Sequence, residues 1–422
     1  MQHNGYPELR VEGQPFFPNS AAFFYTRIPR QLWESSLDQY RALGINTIDL
    51  YIVWNWHEPR EGELDFDGHT NPRRDLRGLL NLIARKGFKL IARPGPTILN
   101  EWRNGGYPDW LLDQAPYQMP LADRLEGRYP PPAALNTRDA EGAARAWMAS
   151  PVHMEHARKW LEAVARELAP YLASATLHLT PPEPKKGKEG KETAGRSGPL
   201  LFVQIEDDLA IGRANSPGSE FWKYVETLCG VLRRGGVDAP CFINPTAPPA
   251  PAAGSRLATP IYTMGQWYLP PESSPALSER YLAPADLGAL EQEAALLGTQ
   301  PGFPPLLIEY DAGWYAPGDD ARPQPGPVSN SLLSAGLLLG AGIRGLNWFP
   351  LQDTLTPAGF GTPWTNRSYC WDAALSLTGA HRARYPAVER IGRQLQAWGK
   401  SLAASHRRAD FAVVDPLLAL PR

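Results

Sequence analysis

Short apolar runs alternate along the chain with longer stretches in which apolar residues recur every three or four positions. The runs are PFFPNSAAFF (15–24), INTIDLYIVW (45–54), FKLIARPG (88–95), PLLFVQIE (199–206), APCFIN (239–244), ATPIYTM (258–264), PLLIEY (305–310) and IRGLNWF (343–349). Runs of this kind predict strands buried on both faces. The longer stretches predict helices: LWESSLDQYRALG, RDLRGLLNLIARKG, EHARKWLEAVARELAPYLA, EFWKYVETLCGVLRRGG, ADLGALEQEAALLG, SNSLLSAGLLLGAG and AVERIGRQLQAWGKSL. In the first, Leu32, Leu37, Tyr40 and Leu43 fall on one face, and two of the stretches close on glycine after basic residues. Strand alternating with helix implies a parallel sheet, and eight such strands imply a (β/α)8 TIM barrel. An open doubly wound sheet would carry a glycine-rich phosphate turn after its first strand, and the sequence has none there.

Three segments break the alternation. ADRLEGRYPPPAALN (122–136) is a proline-rich loop after the third run, and NPTAPPAPAAGSR (244–256) is an irregular connection after the fifth. PPEPKKGKEGKETAGRSG (181–198) mixes charge, Gly and Pro with no apolar anchor and reads as a solvated, mobile loop. Residues 1–405 are thus expected to form one catalytic barrel. The remainder, 406–422, contains FAVV and reads as a tail or as the start of a β domain of which this chain holds little or nothing.

Composition narrows the partners. A formal net charge of -2 over 422 residues gives no electrostatic reason to bind nucleic acid or an anionic membrane. No segment is apolar for the roughly eighteen residues a membrane span needs, and MQHNGYPELR has no basic start followed by an apolar run, so export by a classical signal is not expected. The three cysteines, Cys229, Cys241 and Cys370, show no CxxC spacing, so the expectation is free thiols in a reduced, cytoplasmic setting. HMEH (153–156) reads as an exposed stretch before a helix, without a third ligand for a metal. No Walker loop, GxSxG elbow or dinucleotide fingerprint is present, and neither a metal nor a cofactor is implied. Fourteen tryptophans are many, and Trp54, Trp56, Trp102, Trp314 and Trp348 lie near predicted strand ends, where either core packing or ligand stacking would use them.

In such a barrel the reacting groups sit at the C-terminal ends of the strands. Acids follow the runs at four places: Glu58 in YIVWNWHEP, Glu101 in RPGPTILNEW, the triplet Glu206, Asp207 and Asp208, and Glu309 in PLLIEYDAGW. Two carboxylates facing each other across a barrel mouth are the equipment for cleaving a glycosidic bond. The bland alternative pairs these acids with buried arginines such as Arg27 and Arg93.

At these residues the sequence resembles glycoside hydrolase family 35, the β-galactosidase family, over about residues 15–400. LGINTIDLYIVWNWHEPREGELDFDG and LIARPGPTILNEWRNGGYPDWLL carry the likeness, with IPRQLW (28–33) and SYCWDAALSLTG (368–379) in support. The resemblance implies that Glu309, in EYDAGW, is the nucleophile. It also implies that Tyr51, Asn100, Glu101, Asp207, Trp314, Tyr369 and Trp371 belong to the sugar site, and that Asp208 stands at the acid/base position.

The chain departs from the family at that strand end. Where the family reads Gln-(Ile/Val)-Glu-Asn-Glu, it has Gln204, Ile205, Glu206, Asp207 and Asp208. Aspartate is shorter than glutamate by about 1.5 Å, one C–C bond. Three crowded acids raise the pKa of at least one of them, which suits a general acid. Asn100 replaces a small residue, Asp311 a frequent Tyr and Phe24 a frequent His. The expectation is a retaining, exo-acting β-glycosidase, first of all a β-galactosidase. Its alternatives are an inverting enzyme with more widely spaced carboxylates, a glycosidase of altered sugar specificity, and a barrel that binds sugar with impaired catalysis or serves as a structural relative. The sequence leaves the oligomeric state open.

Overall fold

The computed structural model describes residues 8–114, 122, 147–173, 175–178, 198–207, 220–243, 304–310, 328–362, 368–369 and 373–405. Strands β1 (Glu8–Val11), β2 (Gln14–Pro15), β3 (Asn19–Ala22), β4 (Thr47–Tyr51), β5 (Lys89–Gly95) and β6 (Ala175–His178) are followed by β7 (Leu200–Ile205) and β8 (Cys241–Phe242). The last four are β9 (Leu306–Tyr310), β10 (Gly345–Trp348), β11 (Thr354–Leu355) and β12 (Ser368–Tyr369). Seven of them form one parallel sheet in the order β8-β7-β5-β4-β3-β10-β9. That is the order of an α/β barrel, in which the first strand pairs with the last across the point of closure. The TIM-barrel class expected from the alternation is borne out, and the sixth predicted strand (258–264) lies outside the described residues.

Each strand is placed by a helix that returns the chain. Leu76–Arg85 shows how the sequence builds one: the Asp75 carboxylate accepts from the Gly78 N–H at 2.8 Å to cap its start. Gly87, at φ 72°, supplies the left-handed turn that ends it. Leu76, Leu79, Leu80 and Ile83 fill its buried face between these signals. The other outer helices are Trp33–Ala42, Pro151–Leu168, Glu220–Arg234, Val328–Ala341 and Tyr385–Ala404.

Three findings differ from the sequence reading. A small antiparallel sheet, β2-β1-β6, was not anticipated. Its strands are too short to stand out as periodic runs, yet Leu9 and Val11 join a buried cluster with Ile91, Leu201, Phe202, Phe242, Leu306 and Ile308. HMEH is not an exposed lead-in but the first turn of the helix Pro151–Leu168, and His153 is fully buried. With Pro151 in its first turn the helix starts earlier than its apolar spacing suggests, and His153 falls on the buried face with Ala157, Trp160, Leu161 and Val164.

The third difference is a disulfide between Cys229 and Cys241. Cys229 lies on the helix after β7 and Cys241 in β8, so the turn between helix and strand brings together residues 12 apart that no spacing motif joins. This corrects the expectation of free thiols and removes the reason for a reduced setting. Cys370 lies outside the described residues. Among the described residues no helix is long and apolar enough to cross a membrane.

Candidate active site

Asp49 and Tyr51 sit two apart on β4 and therefore share one face of the sheet. Tyr51 is in register with Arg93 on the neighbouring β5. Arg93 is buried, and it is the hub of the site. Its Nε donates to Asp49 Oδ1 at 2.9 Å, and its Nη2 lies 2.8 Å from Asp49 Oδ2 and donates to the Ile308 carbonyl at 2.8 Å. Nη1 donates to Glu309 Oε1 at 2.7 Å and to the Tyr51 hydroxyl at 2.5 Å, and it stands 3.7 Å from Asp207 Oδ1. Tyr51 in turn donates to Glu309 Oε1 at 2.8 Å. Two donors thus converge on one oxygen of Glu309 and fix the orientation of the carboxylate.

Behind this cluster Asn347, on β10, donates to Asp49 Oδ2 at 2.9 Å and to the Ile308 carbonyl at 2.6 Å. Burial pushes the Asp49 carboxyl up to about 6 against the pull of Arg93. Several anions surround the Arg93 guanidinium and hold it charged, so the pair is ionised at neutral pH. An arginine enclosed with Asp49, Glu309 and Asp207 satisfies the rule that a buried charge needs partners. The expected pairing of these acids with a buried arginine is observed, and the same contacts bring Glu309 on β9 and Asp207 after β7 together.

Asp207 accepts from Gln204 Nε2 at 2.9 Å and from the Leu99 N–H at 3.1 Å. Glu206 turns the chain at the end of β7 with φ 60°, and Glu101 does so after β5 with φ 53°. Non-glycine residues in this left-handed region are strained and persist where the surroundings over-determine them. Glu101 Oε2 accepts from the Tyr369 hydroxyl at 2.6 Å, and burial pushes its carboxyl up. Arg27 stacks on the Tyr369 ring at 4.1 Å and donates to the Asn100 carbonyl at 2.6 Å, which fixes the loop carrying both Asn100 and Glu101. Phe24 stacks on Tyr51 with ring centroids 5.5 Å apart, which completes a wall of Tyr51, Phe24 and Tyr369.

Of the residues expected from the sequence, Tyr51, Asp207 and Glu309 meet at Arg93. Asn100, Glu101 and Tyr369 form a second group joined to the first through Phe24. Asp208, Trp314 and Trp371 lie outside the described residues, as does Asp311. Glu58 is not brought to the site: it accepts from the Trp54 indole at 2.6 Å and from the Gly62 N–H at 2.8 Å and closes a turn. Trp54, Trp56, Trp102 and Trp348 are all fully buried, which settles them as packing.

Asp49 and Asn347 were missed, and Arg93 was noticed only as a partner. Their signal was present, since each is a polar residue within a strand that is otherwise apolar, and burying it requires partners. Among the described residues Asp65, Asp67 and His69 have ligand atoms within 4.8 Å of one another. The group is already spent on a turn, with Asp65 accepting from the Gly68 and Thr70 N–H groups and Asp67 pairing with His69.

A parallel α/β barrel with acids gathered at the C-terminal ends of its strands defines the class: a barrel of the glycosidase type. Residues 8–124 match the family model for glycosyl hydrolases family 35. It is 43% identical over 150 residues to an exo-β-D-glucosaminidase of Pyrococcus horikoshii, an alignment covering 36% of this chain and 18% of that protein. It is 41% identical over 101 residues to a β-galactosidase of Xanthomonas manihotis, covering 24% of this chain and 16% of that one. The matched segment therefore spans about a fifth or less of these relatives. Among solved structures an exo-β-1,4-mannosidase from Opitutaceae bacterium strain TAV5 shares the fold with a TM-score of 0.59 at 16% identity, over 95% of this chain and 63% of that one.

Proposed function

We propose that this chain is the catalytic barrel of a retaining, exo-acting β-glycosidase. The observation that carries the reading is the clamped carboxylate of Glu309, held by Arg93 and Tyr51 at the mouth of the barrel beside the acids that end β7. In this mechanism Glu309 attacks the anomeric carbon while Asp208 protonates the departing glycosidic oxygen. Asp208 then takes a proton from water, which displaces Glu309 and releases the sugar. Tyr51, Asn100, Glu101, Asp207, Trp314, Tyr369 and Trp371 are assigned to the sugar site on their match to the family pattern.

β-Galactosides are the first substrates to try. A second reading of the sugar is favoured by Asp207, which puts a carboxylate where the family has an amide that contacts the sugar beside the scissile bond. A carboxylate there suits an ammonium substituent, and the Pyrococcus relative is named for an amino sugar. The test is a panel containing nitrophenyl β-galactoside and nitrophenyl 2-amino-2-deoxy-β-glucoside, with Glu309→Gln as the inactive control. Turnover of neither, or turnover that survives in Glu309→Gln, would sink the proposal.

A further inference from the structure

Behind the strained turn at Glu206 runs a line of buried polar groups that the reaction itself does not use. Glu206 Oε2 accepts from the Thr97 N–H at 2.8 Å, and Oε1 is bonded by the Tyr224 hydroxyl. Tyr224 lies on the helix after β7, and its oxygen is 3.0 Å from Nε2 of His153, on the helix Pro151–Leu168. All three residues are buried, and His153 Nδ1 has no partner among the described residues. Two outer helices thus reach through the barrel wall to one carboxylate, and the next residue, Asp207, belongs to the site.

We infer that His153 and Tyr224 are positioning residues, a buried arm that holds Glu206 ionised and fixes the turn after β7 that carries Asp207. This rests on the glycosidase reading of that strand end.

The proton inventory supports it. With Glu206 ionised, Tyr224 donates to Glu206 and His153 donates its Nε2–H to Tyr224, so the bare Nδ1 is only a lone pair. With Glu206 protonated the bonds reverse, and His153 must bury an Nδ1–H with nothing to accept it, which costs more. Burial pushes the Glu206 carboxyl up while the hydrogen bonds from Thr97 and Tyr224 pull against it, and burial pushes His153 down. The other titratable groups facing the arm are Tyr107, against the His153 ring, His156, one turn along its helix, and Asp207, joined through Gln204.

The test combines two measurements on the full chain. In 15N-detected NMR His153 should be the neutral Nε2–H tautomer; an Nδ1–H tautomer overturns the inference. In steady-state kinetics Tyr224→Phe and His153→Leu should each lower kcat about tenfold or more with KM changed by less than about twofold. His153→Gln keeps a donor at the Nε2 position and should restore most of kcat. A folded Tyr224→Phe with unaltered kcat overturns the inference, as does a loss that His153→Gln shares in full. If the parent chain turns over no nitrophenyl glycoside, the glycosidase reading falls, and the imidazole tautomer alone decides whether the arm exists.

Discussion

At the scale of single residues, the clamp on Glu309 makes separable predictions. Tyr51→Phe removes one of the two donors to Oε1 while keeping the ring that stacks on Phe24. It should lower kcat by about 10- to 100-fold with little change in melting temperature, since the nucleophile loses one of the two bonds that fix its orientation. Arg93→Met instead strips Asp49 of its partner and should cost about 3–5 kcal/mol of stability, measured by urea denaturation. Unchanged stability in Arg93→Met would show that the ion pair does not hold the strands. Asp207→Asn should shift preference from the amino sugar toward the neutral one; an unaltered ratio of kcat/KM values removes Asp207 from sugar recognition.

Two buried histidines tie stability to pH. His57 Nδ1 lies 2.6 Å from the Asp65 carbonyl and must donate to it, so Nε2 accepts from Tyr25 at 2.6 Å and the ring is neutral. Burial pushes His57 down to about 4 and His153 down to about 3. An unfolded histidine titrates near 6.5, so below that pH the unfolded chain binds protons that the folded chain does not. The stabilisation is complete above about pH 6.5 and is lost as pH falls through about 4. Each histidine should contribute a slope of about 1.4 kcal/mol per pH unit between 6.5 and 5. Asp49 opposes this, since its raised pKa favours the folded state at acid pH. The check is therefore a comparison of unfolding at pH 7 and 5 for the parent and for His57→Gln, which should show the shallower slope; equal slopes would contradict the assignment.

At the scale of elements, the C-terminal helix Tyr385–Ala404 is seated by a backbone contact. A Cβ on Gly392 would stand 1.9 Å from the Leu43 carbonyl oxygen, and one on Gly44 would stand 2.8 Å from Gly392. Neither neighbour is a flexible side chain, so Gly392→Ala must push the helix off the first βα unit. It should cost about 2 kcal/mol or more, in the range of overpacked cores. A melting temperature equal to the parent's would show that the helix is not held there. This contact was invisible in the sequence, where Gly392 is one more glycine in a helical run. The element itself was legible, because Val388, Ile391 and Leu395 recur at helical spacing.

The same contrast holds through the chain. Long periodic segments and apolar runs of about six residues announced themselves, because burial on one or two faces writes directly into residue order. Cys241–Phe242 was found within a longer predicted run because β8 is only two residues long. The sheet β2-β1-β6 and the Cys229–Cys241 bridge depend on which segments meet in space, which local order does not record.

At the scale of the whole molecule, the barrel explains how residues from five strands come to one place. β4, β5, β7, β9 and β10 are neighbours or near neighbours in the sheet, and each delivers its polar residue at or near its C-terminal end. The positions of Asp207 and Glu309 could be expected from the sequence because the fold class dictates which strand ends matter, and that of Tyr51 from the family resemblance. The bonds among them could not, since Asp49 and Asn347 sit deeper in their strands and act through Arg93. The account as a whole stands on Glu309 being the nucleophile. Incubation with a 2-deoxy-2-fluoro glycosyl fluoride of whichever sugar the panel selects, followed by peptide mass mapping, tests it most directly. The account predicts one glycosyl adduct on Glu309, absent in Glu309→Gln. An adduct on another residue, or none from a chain that turns over the parent glycoside, would contradict it.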